Sequence, residues 1–401
     1  MAEGPQLERR LRSLRAPGEG EASLRAWQLV AEAYERERRV PPPPRRRALR
    51  PLLLFAAAVA LAGLAISPAG AAVAHWVADR FGGGPGVKRA RPALTSLPAP
   101  GRLLVGSRDG TWILRQDGSR RLLGPYRDAT WSPHGLYVAA VRGSTLLALD
   151  PRGRVRWTLS AVPRPRRPSW SPGNGFRVAY LSGASLRVVA GDGTGDRLLA
   201  RPVQPVRPAW RPGSGYRLTY VSGTGRIRTV DADSGRPLWR TPPYARPPFA
   251  LGWTADGTRL LALSSRALRL LDGRSGTVRK SLGVPARAHF LDAELSPSGR
   301  TVALARFDER AHRSEVLLLS VRGVRWHVRR AFAGVGRFTS LRWSPDGRWL
   351  LVSWRDADQW LFLRSAPARR LVAVSNIGRA FEPDRAGVAR FPRAGGWCCP
   401  P

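Results

Sequence analysis

Five histidines, two cysteines and a few aspartate- or glycine-rich turns are the residues of this 401-residue chain whose types could support chemistry. The histidines, His75, His134, His289, His312 and His327, are scattered, with neither an H-E-x-x-H motif nor a paired spacing that would hold a metal. They read as surface or turn residues. Cys398 and Cys399 are adjacent, whereas tetrahedral ligation needs separated pairs, so no zinc site and no disulfide framework is expected. The pair is compatible with a vicinal disulfide, an intermolecular one, or two thiols on a tail. The stretch "GDGTGD" (191–196) has the carboxylates for calcium but is shorter than an EF-hand loop and reads as a hairpin turn. "GGGPG" (82–86) has no preceding strand and no following Lys-Ser/Thr, so it is linker and not a phosphate loop. A G-x-S-x-G elbow is absent. The expectation is no catalytic residue, no cofactor and no metal.

Charge offers a second route to function. The formal net charge is +39, which normally points to nucleic acid or an acidic surface. Of the 67 basic residues only Lys88 and Lys280 are lysine. Arg, Ala, Gly and Pro share GC-rich codons, so genome composition accounts for much of the excess. The arginines are also spread along the chain and form no single stripe interleaved with aromatics, as a nucleic-acid groove requires. Specific nucleic-acid binding is not expected, and diffuse attraction to anionic headgroups or polyanions is.

The elements that must position any site divide the chain into five parts. Residues 1–50 contain "SLRAWQLVAEAYERERR" (23–39), with Leu24, Trp27, Val30, Ala31 and Tyr34 at helical spacing. This helix either lies on the inner leaflet or docks a cytoplasmic partner, and "PPPP" (41–44) ends it. Residues 51–74 are 24 uncharged residues, long enough to span a bilayer. Arg45, Arg46, Arg47 and Arg50 precede them, which places the N-terminus in the cytoplasm and the rest outside. "SPAGAAVA" (67–74) would suit signal-peptide cleavage, but the long polar region before the span favours an uncleaved anchor. Residues 75–100 read as linker, 101–394 as the folded body, and 395–401 as a tail.

The body repeats one unit. Its copies centre on Trp131, Trp170, Trp210, Trp253, Leu295 and Trp343, at steps of 39, 40, 43, 42 and 48 residues. A period near forty with several short strands per unit is produced by four-stranded propeller blades. In each copy a short strand ends in the Trp, a turn reverses the chain, and an alternating strand follows. The turns rest on Pro133 and Gly135, Pro172 and Gly175, Pro212 and Gly215, Asp256 and Gly257, Pro297 and Gly299, and Pro345, Asp346 and Gly347. Proline fixes φ, aspartate bonds the backbone and glycine takes the left-handed position. The tryptophans are expected to pack between blades.

With its W-S-P-D-G turn, complete only at Trp343–Gly347, the body resembles the TolB-like and WD-repeat-like β-propellers. The resemblance implies fold more than function, since propellers host many activities. A second echo, in 146–160 and 227–241, is similar to the quinoprotein propeller repeat. The tail position of the Cys pair and the want of a carboxylate-rich calcium cluster argue against such an enzyme.

The fold expected is all-β: a seven-bladed propeller behind an amphipathic helix and one transmembrane helix. Six motifs begin six units, yet strands already occur at 102–124. The missing inner strand of that unit is expected from 386–392, with Phe391 and Pro392 standing where Trp-Ser-Pro would. The function expected is that of a non-catalytic binding or scaffold module outside the membrane, taking a protein, a peptide or an envelope polymer. A transmembrane sensor coupled to a cytoplasmic partner is the alternative, and a propeller enzyme, quinoprotein or hydrolytic, is the third.

Overall fold

The computed structural model describes residues 87–91, 96–323, 325–364, 370–383, 387 and 389–399. The segments at 23–39 and 51–74 lie outside the described residues. Among those that are described, no helix is long and apolar enough to cross a membrane.

The body is a β-propeller of seven sheets, six of four strands and one of five. Blades 2 to 6 occupy residues 127–160, 165–200, 209–240, 250–283 and 288–335, and blade 7 starts at 338 and runs to 375. The order within each of these ranges is the chain order, so blades 2 to 6 are simple meanders. The strand that ends in the motif residue is always at one edge, and these edge strands touch one another from each blade to the next around a closed ring. They are the inner strands, and they wall the central channel.

Burial follows from this layout. The second strand of each blade, such as Val138–Arg142, Arg259–Leu263 or Trp349–Trp354, is buried along nearly its whole length, because a neighbouring blade covers each of its faces. The outermost strand, such as Val155–Ser160, alternates with solvent. The core consists of seven apolar clusters, one in each seam between adjacent blades. Trp131, Trp170, Trp210, Trp253 and Trp343 each sit in the seam with the preceding blade, and Leu295 takes that place in blade 6.

The ring closes differently from the sequence expectation. Blade 1 joins Arg102–Gly106, Thr111–Leu114 and Arg120–Gly124 to an inner strand from the far end of the chain, Arg393–Cys398. Leu103 lies opposite Trp397, and Gly106 opposite Arg393. Phe391 and Pro392 therefore precede the closing strand and do not form it. Trp397 occupies the seventh motif position, 54 residues after Trp343. Two physical reasons account for the shift. Proline has no N–H to give to a ladder, so Pro392 marks the strand's start. The spacing is stretched by a short helix, Ile377–Phe381, inserted before the closing strand. The carboxylate of the fully buried Glu382 ties this insert in place, accepting the N–H groups of Arg108 at 3.1 Å and Arg390 at 3.0 Å. The propeller consequently includes residues 393–398, which the boundary at 394 had divided.

The stretch read as linker also contributes. Val87–Arg91 pairs in parallel with Arg370–Ser375 as the fifth strand of blade 7, and Leu97 and Ala99 are buried in the seam between blades 7 and 1.

Candidate functional site

The motif residues serve the ring. In the turns, the hydroxyl one residue past the motif position accepts the N–H that starts the next strand: Ser132 from Tyr137 at 3.0 Å, Thr254 from Arg259 at 3.0 Å, Ser344 from Trp349 at 2.9 Å. Asp256 and Asp346 accept from those hydroxyls in turn, and Gly135, Gly175, Gly215, Gly257, Gly299 and Gly347 all hold positive φ. Pro133, Pro172, Pro212, Pro297 and Pro345 occupy the corner between. The tryptophans add a pin between blades. The indole N–H of Trp131 donates to the carbonyl of Gly396 at 3.1 Å, that of Trp210 to Ser169 at 2.9 Å, and that of Trp343 to Glu294 at 3.2 Å. In every case the acceptor is the residue just before the motif position of the preceding blade. Trp253 donates instead to the Thr219 hydroxyl at 3.2 Å, and the indole nitrogens of Trp170 and Trp397 have no hydrogen-bond partner among the described residues.

Cys398 and Cys399 are joined by a disulfide. Both sit against blade 2, with the Cys399 sulfur 3.3 Å from the Pro133 carbonyl, so the tail is packed. His289 and His312 both pack on the Phe307 ring, at 5.4 and 5.5 Å between centroids, and among the described residues no group of three or more His, Cys, Asp or Glu could hold a metal. The aspartates of 191–196 serve turns and pairs: Asp192 accepts from Thr194, and Asp196 binds Arg187 at 2.6 Å and the Tyr180 hydroxyl at 2.8 Å. The tryptophans of the second echo are structural too, Trp157 donating to Gly191 and Trp239 to Gly273 of the next blade.

Many arginines are likewise absorbed by the blades. Arg102 stacks 4.9 Å over Trp131 and donates to Gly135, Arg177 lies 4.7 Å over Tyr216, and Arg211 lies 5.4 Å over Trp253.

The channel is where charge concentrates. Three residues before the motif position, the inner strands carry Asp128, Arg167, Arg207, Ala250, Asp292, Ser340 and Ala394 in blades 2 to 7 and then 1. Asp128 and Arg167 both take positive φ at irregularities of their strands. The Asp128 carboxylate accepts the Arg167 N–H at 3.1 Å from the next blade. Asp292 acts the same way one seam before closure, accepting the Leu341 N–H at 3.0 Å and Arg342 at 3.2 Å. Glu294 accepts the Trp343 N–H at 3.1 Å and stands 3.8 Å from Arg342. Arg342 is thus compensated chiefly by Asp292. Desolvation outweighs its pull on Glu294, whose carboxyl is pushed up to about 8.

Arg207 is the odd member. It lies deep in the ring, and desolvation lowers its guanidinium to about 10. The charges that act on it are Asp128, Arg393, Arg342 and Arg167, from blades 2, 1, 7 and 3. Groups from four other blades can meet around one side chain only on the axis. Although deep, Arg207 remains partly accessible, as a side chain on a water-filled channel wall is. Sequence reasoning missed this constellation. The signal was available in the motif register, because the third residue before each motif is charged in four of seven copies.

A second feature lies on the opposite face, at the motif turns. A shallow, open cleft of about 230 Å³ runs between the turns of blades 3 and 4, lined by Pro172, Asn174, Phe176, Trp210, Arg211 and Tyr216. Phe176 is 55% exposed, and beside it Leu136 is 62% and Tyr137 40% exposed.

No protein-family model matches the chain, and no curated protein matches it. Solved structures do. The chain is similar to the C-terminal WD40 domain of Sif2, at 12% identity and TM-score 0.54, over 70% of this chain and 84% of that one. It is similar to Kuenenia stuttgartiensis hydrazine synthase, at 17% identity and TM-score 0.50, over 59% of this chain and 75% of that one. The β-propeller domain of Cps50 (Swd1) from Myceliophteria thermophila matches at 15% identity and TM-score 0.49, over 62% and 85%. The fold is a seven-bladed β-propeller with WD40-like neighbours. At these identities the likeness extends to fold and no further.

Proposed function

We propose that this chain is a membrane-anchored, non-catalytic binding module whose propeller holds a protein partner on the motif-turn face. The observation that carries the reading is the exposed apolar surface of Leu136, Tyr137 and Phe176 beside the cleft between blades 3 and 4. These side chains stand on turns fixed by serine hydroxyls and glycines, so little conformational entropy is lost when a partner covers them. Aromatic groups on a rigid frame, with Arg211 at the rim, have the composition of a protein-binding hot spot. The W-S-P-D-G turn supports a TolB-like affiliation for the blades, and the uncharged span after an arginine cluster supports the anchor.

Crosslinking in intact cells tests the partner. The reading expects a crosslinked protein that is lost with Phe176→Ser and Leu136→Ser while folding is kept. A partner retained by both variants overturns it. For the topology, external protease on intact cells should remove the propeller and spare the first fifty residues, and a protected propeller refutes the anchor's orientation.

A further inference from the structure

We infer that the Cys398–Cys399 pair is a redox-exchange site that takes a dithiol, and that its state sets the order of the blade 2 turn carrying Leu136 and Tyr137. The exchange chemistry is independent of the partner-binding reading, and its effect on binding rests on that reading.

Three observations carry the inference. First, the pair lies on the turn itself. The Cys399 sulfur is 3.3 Å from the Pro133 carbonyl, and the Cys398 sulfur is 3.8 Å from that of Ser132. The exposed Leu136 and Tyr137 follow Gly135 directly. Second, a guanidinium stands beside the sulfurs. Arg102 lies opposite Cys398 in the closing ladder and donates to the Gly135 carbonyl at 3.0 Å. A Cβ on Gly135 would meet Arg102 Nη2 at 2.7 Å and the Cys399 sulfur at 3.2 Å, so guanidinium and sulfur converge on one spot. Among the described residues the Arg102 Nε is buried without a hydrogen-bond partner, and the charge that acts on it, that of Arg115, is another cation. A thiolate on Cys399 supplies the missing anion, and a stabilised leaving thiolate makes a disulfide easier to open. Third, the constraint is local. Cys399 takes φ +45°, which residues with a Cβ seldom hold, inside the small ring that the bond closes. The contacts that shut the propeller, Leu103 opposite Trp397 and the Trp131 N–H on the Gly396 carbonyl, come before the pair. Opening the bond therefore lets Cys399 leave the turn while the ring stays closed.

In the exchange, a thiolate of the dithiol attacks the Cys398 sulfur, and Cys399 leaves as a thiolate beside Arg102. The second thiol of the reductant then displaces Cys398 from the mixed disulfide. Two electrons pass to the protein and the reductant ends as its own disulfide. One of its protons ends on Cys398, and the other on Cys399 or in solvent.

The test is hydrogen exchange of the full-length chain in detergent, oxidised and after dithiothreitol, with alkylation to count thiols. Two thiols per chain should appear only after reduction. The amides of 132–137 should then exchange severalfold faster, while those of the blade 5 turn, 254–259, keep their rate and the melting temperature hardly moves. Arg102→Gln should slow the reduction severalfold, and Arg102→Lys, which keeps the charge, should restore it. Cys399→Ser should show the fast exchange with or without dithiothreitol. Thiols free before reduction, or equal exchange of 132–137 in the two states, overturn the inference. In intact cells, Cys399→Ser should give less crosslinked partner than the wild type. A partner captured equally by both overturns the control of binding, whereas no partner with either overturns the binding reading and leaves the exchange result standing.

Discussion

Replacing Glu294 by glutamine should change how stability depends on pH, and the structure sets the sign. The carboxyl sits between the apolar walls of blades 5 and 6, near Leu251, Trp253 and Leu261. Around it stand Arg342 at 3.8 Å, Asp292 and the Trp343 N–H. Burial pushes it up to about 8, against an ordinary value of about 4.3 in the unfolded chain. Between those values the folded protein holds a proton that the unfolded chain has released. Stability therefore falls as pH rises through this window and levels off above about 8. At about 1.4 kcal/mol per pH unit, the full shift corresponds to at most about 5 kcal/mol. The side chain is 31% exposed and shares Arg342 with Asp292, so we expect about 1–2 kcal/mol. Glutamine keeps an oxygen for the Trp343 N–H and carries no charge. In chemical denaturation, Glu294→Gln should match the wild type near pH 3.5, below the unfolded-state value, and exceed it by that amount near pH 8.5. Because the other titrating groups are common to both proteins, their contributions cancel in the difference. Parallel curves across the range would refute the assignment of a neutral Glu294.

Three further outcomes follow from the ring. Trp210→Phe and Trp343→Phe should each cost about 1 kcal/mol more than Trp170→Phe in denaturant melts, since the first two lose an interblade hydrogen bond and the third has none to lose. Deleting residues 393–401 removes the inner strand of blade 1 with the buried Ala394 and Trp397, and should cause cooperative destabilisation or aggregation through the exposed edge of Arg102–Gly106; unchanged melting would show that the ring does not need it. Gly257→Ala should lose about 1–3 kcal/mol of stability, because its φ is +63° and a Cβ would stand 2.4 Å from the Pro212 carbonyl oxygen.

Periodicity made the blades legible and hid the closure. Six copies announce themselves because an indole and a proline corner recur in five of them each and a left-handed glycine in all six, four or five residues past the motif position. The seventh copy retains only the tryptophan: Trp397 is followed by two cysteines, with no glycine to take the left-handed position, and Cys399 takes positive φ itself. Phe391–Pro392 imitated the motif at a plausible distance. What distinguishes the two is pairing with Leu103, a contact between chain ends that no local pattern encodes.

The channel was hidden for a different reason. Among so many arginines, Arg207 has no local mark that separates it from Arg211, four residues on, which stacks on Trp253 and donates to the Gly257 carbonyl. The difference is register. Arg207 is three residues before the motif and faces the axis, where Asp128, the acid that acts on it, is already held by the Arg167 backbone. Arg211 is one residue past the motif and faces the neighbouring blade. A repeat aligned on its tryptophans turns that offset into a depth in the channel, so side chains scattered over the sequence become neighbours on a ring. Charge that averages to a diffuse cloud over the whole chain is in this one layer discrete, with Asp128, Arg167, Arg207 and Asp292 at one register position of four inner strands.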